Sequence, residues 1–194
     1  DVAENIEIRA TSSNGVATVS FRALDNALGS DATTFVREYT VSSNHRILID
    51  GGLGDDRFDL SNFNAPGIQL VIDLGVGDDV VLGAGANTLG ITNVFNIFRG
   101  QEGDDTIYGT GGADLIFGGP GKDSIYSLAG PDLIFGDNGE LARYSLAAGI
   151  RKNSDDGDIL HGGDGDDILF GGGEKDILYG NDGNDLLIGG GADL

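Results

Sequence analysis

The chain has 194 residues, of which 35 are Gly, 3 are Pro and none is Cys, and its 32 Asp and Glu against 11 Lys and Arg give a net charge of −21 at pH 7. The lack of cysteine removes disulfides, thiolate metal sites and cysteine nucleophiles, and so acidic a chain without a basic cluster excludes nucleic acid and anionic lipid as partners. Bare, such a chain repels itself, so a cationic component is expected in the folded state.

Apolar and polar residues alternate in IEIRA, VATVSFRAL, TFVREYTV and HRILID at the start of the chain. A period of two predicts antiparallel or edge strands separated by Ser, Asn and Gly turns. Residues 1–46 are therefore read as a β-strand-rich segment, either a cap or the end of a preceding β-domain.

From residue 47 a nine-residue period takes over. Single copies stand at Gly51 (GGLGDDRFD, with Asp56 in sixth place) and Leu74 (LGVGDDVVL, with Asp79). Six units then run without a break from Leu82: LGAGANTLG, ITNVFNIFR, GQEGDDTIY, GTGGADLIF, GGPGKDSIY and SLAGPDLIF. Their sixth places are Asn87, Asn96, Asp105, Asp114, Asp123 and Asp132. This first run of repeats is assigned to residues 47–141. Within GDNGELARYSLAAGIRK (Gly136–Lys152) the pattern breaks, and residues 142–152 read as an ejected loop or short helix bearing Arg143, Arg151 and Lys152. That loop is either a solvated tip or a partner-docking element. A second run occupies residues 153–194, with NSDDGDILH, GGDGDDILF, GGGEKDILY and GNDGNDLLI placing Asp158, Asp167, Asp176 and Asp185 sixth.

The eighth place is apolar in all twelve units: Phe58, Val81, Leu89, Phe98, Ile107, Ile116, Ile125, Ile134, Leu160, Leu169, Leu178 and Leu187. Three residues suffice for a short strand whose middle side chain points inward, with places seven and nine opposite. The glycine half must turn. Two units then close a coil of eighteen residues, and coils stack at about 4.8 Å. Asp105 lies over Asp123, Asp114 over Asp132, Asp158 over Asp176 and Asp167 over Asp185, with Asn87 and Asn96 leading into the first two columns. Stacked carboxylates need a cation between them, and hard oxygen ligands at that spacing suit Ca²⁺ better than zinc, copper or Mg²⁺.

The pattern G-G-x-G-x-D-x-U-x, close to GGDGDDILF, GGPGKDSIY and GNDGNDLLI, resembles the RTX (repeat-in-toxin) calcium-binding nonapeptides. The resemblance covers residues 74–141 and 153–194 and touches 51–59. It implies an all-β fold, a parallel β-roll or β-helix solenoid preceded by a short strand segment. It also implies Ca²⁺-triggered folding, bacterial export, and metal binding through the sixth-place carboxylates with turn carbonyls. Carried onto this chain, the ligands are Asp105, Asp114, Asp123, Asp132, Asp158, Asp167, Asp176 and Asp185, with Asp56 and Asp79 in the single copies. Ser127, Leu128 and Pro131 depart from the pattern and are expected to weaken or reshape the Asp114/Asp132 site. Asn87 and Asn96 carry no charge and lower the affinity expected there.

Other chemistry finds little support. The two histidines, His45 and His161, are read as structural; G-x-S-x-G, H-E-x-x-H, a Walker lysine followed by Ser or Thr, and an EF-hand loop are all missing. Aromatic residues in ninth place (Tyr108, Tyr126, Phe117, Phe135, Phe170, Tyr179) form outer ladders that either brace the sheet or mark an interface. The reading is a non-enzymatic, calcium-binding structural module of a secreted or cell-surface protein, holding roughly five to eight ions. Calcium is its partner, without nucleic acid or membrane insertion, and self-association or contact with neighbouring extracellular domains is compatible with it. The alternative is an accessory export and folding module of a secreted toxin, protease or polysaccharide-modifying enzyme. Opening at Asp1 and stopping at Leu194 inside the repeat pattern, the chain reads as a piece of a longer protein.

Overall fold

The computed structural model describes residues 5–13, 16–24, 33–42, 46–64, 68–83, 96–136, 157–164, 166–172 and 175–190. Every regular element among them is a strand. Three longer strands come first, β1 (Asn5–Ser13), β2 (Val16–Leu24) and β3 (Thr33–Ser42), paired antiparallel in sequence. The chain then winds. Each coil contributes one strand to each of two parallel sheets: β4 (Arg46–Asp50) with β5 (Arg57–Asp59) and the short β6 (Phe63–Asn64), β7 (Gln69–Val76) with β8 (Val80–Leu82), and β9 (Asn96–Glu102) with β10 (Thr106–Tyr108). It continues as β11 (Asp114–Phe117) with β12 (Ser124–Tyr126), β13 (Leu133–Phe135) with β14 (Ile159–Asp164), β15 (Ile168–Gly172) with β16 (Ile177–Asp182), and β17 (Leu186–Gly190).

One sheet therefore runs β16-β14-β12-β10-β8-β5-β1-β2-β3 and the other β17-β15-β13-β11-β9-β7-β4. This is a parallel β-roll of nonapeptide coils preceded by a strand segment, as the periodicity predicts. The leading segment is not merely adjacent. β1 adds to the first coil as a parallel strand, with Ile6 opposite Phe58, and Ile8 is fully buried in the core. Where HRILID was expected as an antiparallel or edge strand, Arg46–Asp50 is the edge strand of the second sheet and pairs parallel with β7.

Eighth-place side chains form the spine of the roll. Phe58, Val81, Phe98, Ile107, Ile116, Ile125, Ile134, Leu160 and Leu169 are all at 0% exposure, Leu178 packs partly buried against them, and Leu187 on the last described strand is 41% exposed. Leu89 lies outside the described residues. The first coils are bulkier inside, adding Leu60, Phe63, Ile68, Leu70, Ile72 and Leu74 to the same cluster. On the outside the ninth places stack. Tyr108, Tyr126, His161 and Tyr179 follow one another at centroid spacings of 4.7, 4.8 and 4.5 Å, and Phe117, Phe135 and Phe170 at 5.2 and 5.0 Å. The imidazole of His161 takes an aromatic's place in its ladder, and desolvation there lowers its pKa.

One expected register is corrected. Asn87 was to lead into the Asp105 column, but β8 pairs with β10 through Val80 opposite Thr106, so Asp79 stands beside Asp105. The coil between them is twenty-six residues long instead of eighteen. Residues 84–95, including Asn87, lie outside the described residues, as does the 142–152 segment read as a loop or helix.

Candidate metal centre

Sixth-place residues form two columns, one beside each sheet. In the first, the amide of each aspartate donates to Oδ1 of the aspartate one coil later: Asp56 to Asp79 (2.6 Å), Asp79 to Asp105 (2.9 Å), Asp105 to Asp123 (2.9 Å), Asp123 to Asp158 (2.8 Å) and Asp158 to Asp176 (3.1 Å). In the second, the Leu70 amide donates to Asn96 Oδ1 (3.1 Å), Asp114 to Asp132 (2.8 Å), Asp132 to Asp167 (2.8 Å) and Asp167 to Asp185 (3.1 Å). All four expected vertical pairs are present. The columns also pass unbroken from one run to the other, through Asp123–Asp158 and Asp132–Asp167.

Holding a carboxylate by one oxygen leaves the other. The Oδ2 atoms of Asp79, Asp105, Asp123 and Asp167 are buried with no hydrogen-bond donor, and that of Asp132 is buried with the Ser127 hydroxyl beside its carboxyl. Burial, first, and then the neighbouring carboxylates push these groups up from 3.8: Asp79 to about 6, Asp105 to about 7, Asp123 to about 8 and Asp132 to about 9, with Asp167 also raised. At Asp123 the neighbours are Asp158, Asp105 and Asp104. A row of buried acceptors that repel one another is unfavourable unless positive charge joins it.

The first-place glycines show what lies beside each Oδ2. A methyl group on Gly100 would strike both Asp105 Oδ2 and the Gly118 carbonyl oxygen; one on Gly118 would strike Asp123 Oδ2 and the Gly136 carbonyl oxygen. Carboxylate and carbonyl oxygens of successive coils thus crowd one point: the Gly118 and Gly136 carbonyls accept the Gln101 and Gly119 amides (2.9 Å each), while the Oδ2 atoms of Asp105 and Asp123 beside them accept none. Among the described residues no three His, Cys, Asp or Glu side chains cluster as a metal cage. The donor set is instead one carboxylate per turn plus peptide carbonyls, all hard oxygen, which fits Ca²⁺.

Comparison with known families matches residues 95–125, 117–140 and 153–187 to the RTX calcium-binding nonapeptide repeat, in 4 copies. Residues 95–140 and 153–187 carry RTX calcium-binding repeats. No relative among curated proteins matches the chain. The RTX nonapeptide is a structural calcium-binding repeat and not a catalytic one, so this stretch is a calcium-binding β-roll. The match begins at β9, yet the same column of amide-to-Oδ1 hydrogen bonds continues upstream of it, through Asp79 and Asp56.

Two features escape the periodicity. The fifth places form an outer row: Asp78 donates its amide to Asp55 Oδ1 (3.0 Å), Asp104 to Asp78 (2.9 Å) and Lys122 to Asp104 (2.9 Å), and Asn184 does the same to Asp166 (2.9 Å). The GDD doublets were the available signal. The second feature is Thr110, whose amide and hydroxyl both bond Asp114. Nothing in the spacing distinguishes Thr110 from any other turn residue. At Ser127, which replaces a first-place glycine, the hydroxyl donates to the carbonyl oxygens of His161 (3.3 Å) and Gly162, tying the two runs together.

Proposed function

We propose that this chain is a calcium-folded structural module of a secreted or cell-surface protein, in which sixth-place carboxylates hold Ca²⁺ and the stacked coils supply stiffness. The observation that carries the reading is the buried, donor-less Oδ2 at Asp105, Asp123 and Asp167 beside the next coil's carbonyl. Asp56, Asp158, Asp176 and Asp185 stand in the same columns and are assigned the same role. Calcium would supply positive charge to oxygens that otherwise repel. The residues do the rest: the Oδ1 atoms set the coil spacing, the glycines let carbonyls approach, and the eighth-place side chains exclude water.

Binding to the folded state alone stabilises it by RT ln(1 + [Ca²⁺]/Kd), so millimolar extracellular calcium favours the roll and submicromolar calcium does not. That linkage suits a chain exported unfolded and set outside the cell. Residues 1–46 act as the cap, with β1 covering the first coil's edge beside β5.

Far-UV circular dichroism of the chain, titrated with CaCl₂ and with MgCl₂, tests this. A cooperative gain of β signal is expected with Ca²⁺ and not with Mg²⁺. A full β signal in EDTA, unchanged by Ca²⁺, would refute the reading.

A further inference from the structure

Asp114 is the exception in its column. It is fully buried like its neighbours, but both its carboxylate oxygens already have protein donors. Oδ2 accepts from the Thr110 amide (2.6 Å), Oδ1 accepts from Asn96 Nδ2 (3.1 Å), and the Thr110 hydroxyl lies 3.0 and 3.1 Å from the two oxygens. The rest of the cluster is satisfied too. Thr110 Oγ1 accepts from Asn96 Nδ2 (3.2 Å) and the Gly112 amide (3.2 Å), which uses its one proton and both lone pairs. Asn96 Oδ1 accepts from Leu70, so both hydrogens and the oxygen of that amide are engaged. Asn96, Thr110 and Asp114 are at 1%, 0% and 0% exposure.

The backbone agrees. Second-place residues elsewhere are left-handed even where they are not glycine, at Gln101 (φ 79), Leu128 (φ 83) and Asn181 (φ 72), and fourth-place Gly103 and Gly121 have φ 140 and 144. Neither Thr110 nor Gly112, the corresponding residues of this turn, is left-handed. A β-branched residue avoids that region, and the altered turn aims the Thr110 amide at the carboxylate.

We propose that Asn96 and Thr110 replace a calcium ion at the head of the second column, so that the Asp114 turn is closed by hydrogen bonds and takes no metal. Asn96 brings two amide hydrogens and no charge where an aspartate would bring a second carboxylate. Thr110 brings a hydroxyl and a redirected amide. The proposal rests on the calcium reading above and narrows it, because it removes Asp114 from the ligand set. It also makes the Asp114 turn the one sixth-place turn of that column that closes without the ion.

Bound calcium per chain, counted by equilibrium dialysis on the full chain at saturation, tests this with three variants. Asp114→Asn should lose no ion, Asp123→Asn should lose at least one, and Asn96→Asp/Thr110→Gly should gain one. A loss at Asp114→Asn equal to that at Asp123→Asn would overturn the proposal, as would an unchanged count in the double variant. If wild-type chain binds no calcium, the calcium reading itself fails. The plug is then decided by hydrogen exchange in EDTA, where Thr110→Gly must speed exchange of the Asp114 turn by at least roughly tenfold. No change there would overturn the plug independently.

Discussion

Asp123 and Asp158 are 35 residues apart in the chain and direct neighbours in the roll, with the Asp123 amide donating to Asp158 Oδ1 at 2.8 Å. The same step joins Asp132 to Asp167, and strands β12 and β13 pair in register with β14 and β15 across it. The two repeat runs are one stack. The aspartate columns, the hydrophobic spine and both aromatic ladders all continue through the junction, so each coil gains from the order of its neighbours.

That continuity makes the role of a single carboxylate separable into two parts. Asp105 Oδ1 accepts the Asp79 amide, while burial pushes the carboxyl up to about 7. Asp105→Asn keeps an acceptor and removes the charge. In EDTA at pH 8 it should be more stable than wild type, and its calcium midpoint should rise on the order of tenfold. Asp105→Ala should lose in both conditions, because the buried Asp79 amide then lacks its acceptor, at about 1–3 kcal/mol. Urea unfolding with and without Ca²⁺ compares the three; if Asp105→Asn and Asp105→Ala behave alike, charge and hydrogen bond are not separable in this way.

Without metal the roll should be acid-favoured. Asp79, Asp105, Asp123 and Asp132 are raised in the folded state to about 6, 7, 8 and 9, chiefly by burial, from 3.8. Raised carboxyl groups bind more protons folded than unfolded. Their contribution is fully present below about pH 4 and is lost as pH climbs through 6 to 9. Circular dichroism in EDTA should show β signal falling across that window. In calcium, ions displace the protons, and apparent affinity should increase with pH. A metal-free roll most stable at pH 9 would contradict the burial of these groups.

The glycines predict a contrast within one turn pattern. A methyl at Gly100 meets Asp105 Oδ2 and the Gly118 carbonyl oxygen, whereas at Gly52 (φ +96) it meets nothing within 4 Å. Gly52→Ala should cost only the left-handed strain, about 1–2 kcal/mol. Gly100→Ala should cost more and should also lower calcium affinity, since coil and site are disturbed together. Thermal unfolding at saturating Ca²⁺ ranks them, and an equal effect of the two would show that the close approach at Gly100 does not matter.

The spine predicts a gradient along the roll. Ile116 is fully buried and Leu187 is 41% exposed, though both hold the eighth place. Ile116→Ala should cost about 2–5 kcal/mol, and Leu187→Ala well under half of that. Chemical denaturation at fixed calcium measures both. Equal losses would mean that Leu187 is covered in solution.

Much of this architecture is legible in the order of the residues alone. A nine-residue period with aspartate sixth and an apolar residue eighth determines the coil, its inward side chain and its stacked carboxylates, because a repeat of strand and turn leaves little choice of geometry. Asp105–Asp123 and Asp167–Asp185 follow from counting eighteen. The pairing of Asp79 with Asp105 does not, because the intervening coil is longer and only strand pairing shows which residues lie side by side. Nor does the junction at Asp123–Asp158, where an interruption in sequence is no interruption in space. The satisfied carboxylate of Asp114 is hidden most completely. Its spacing matches every other sixth place, and only the positions of Thr110 and Asn96 in three dimensions decide that both its oxygens meet donors while Oδ2 of Asp105 and of Asp123 meets none.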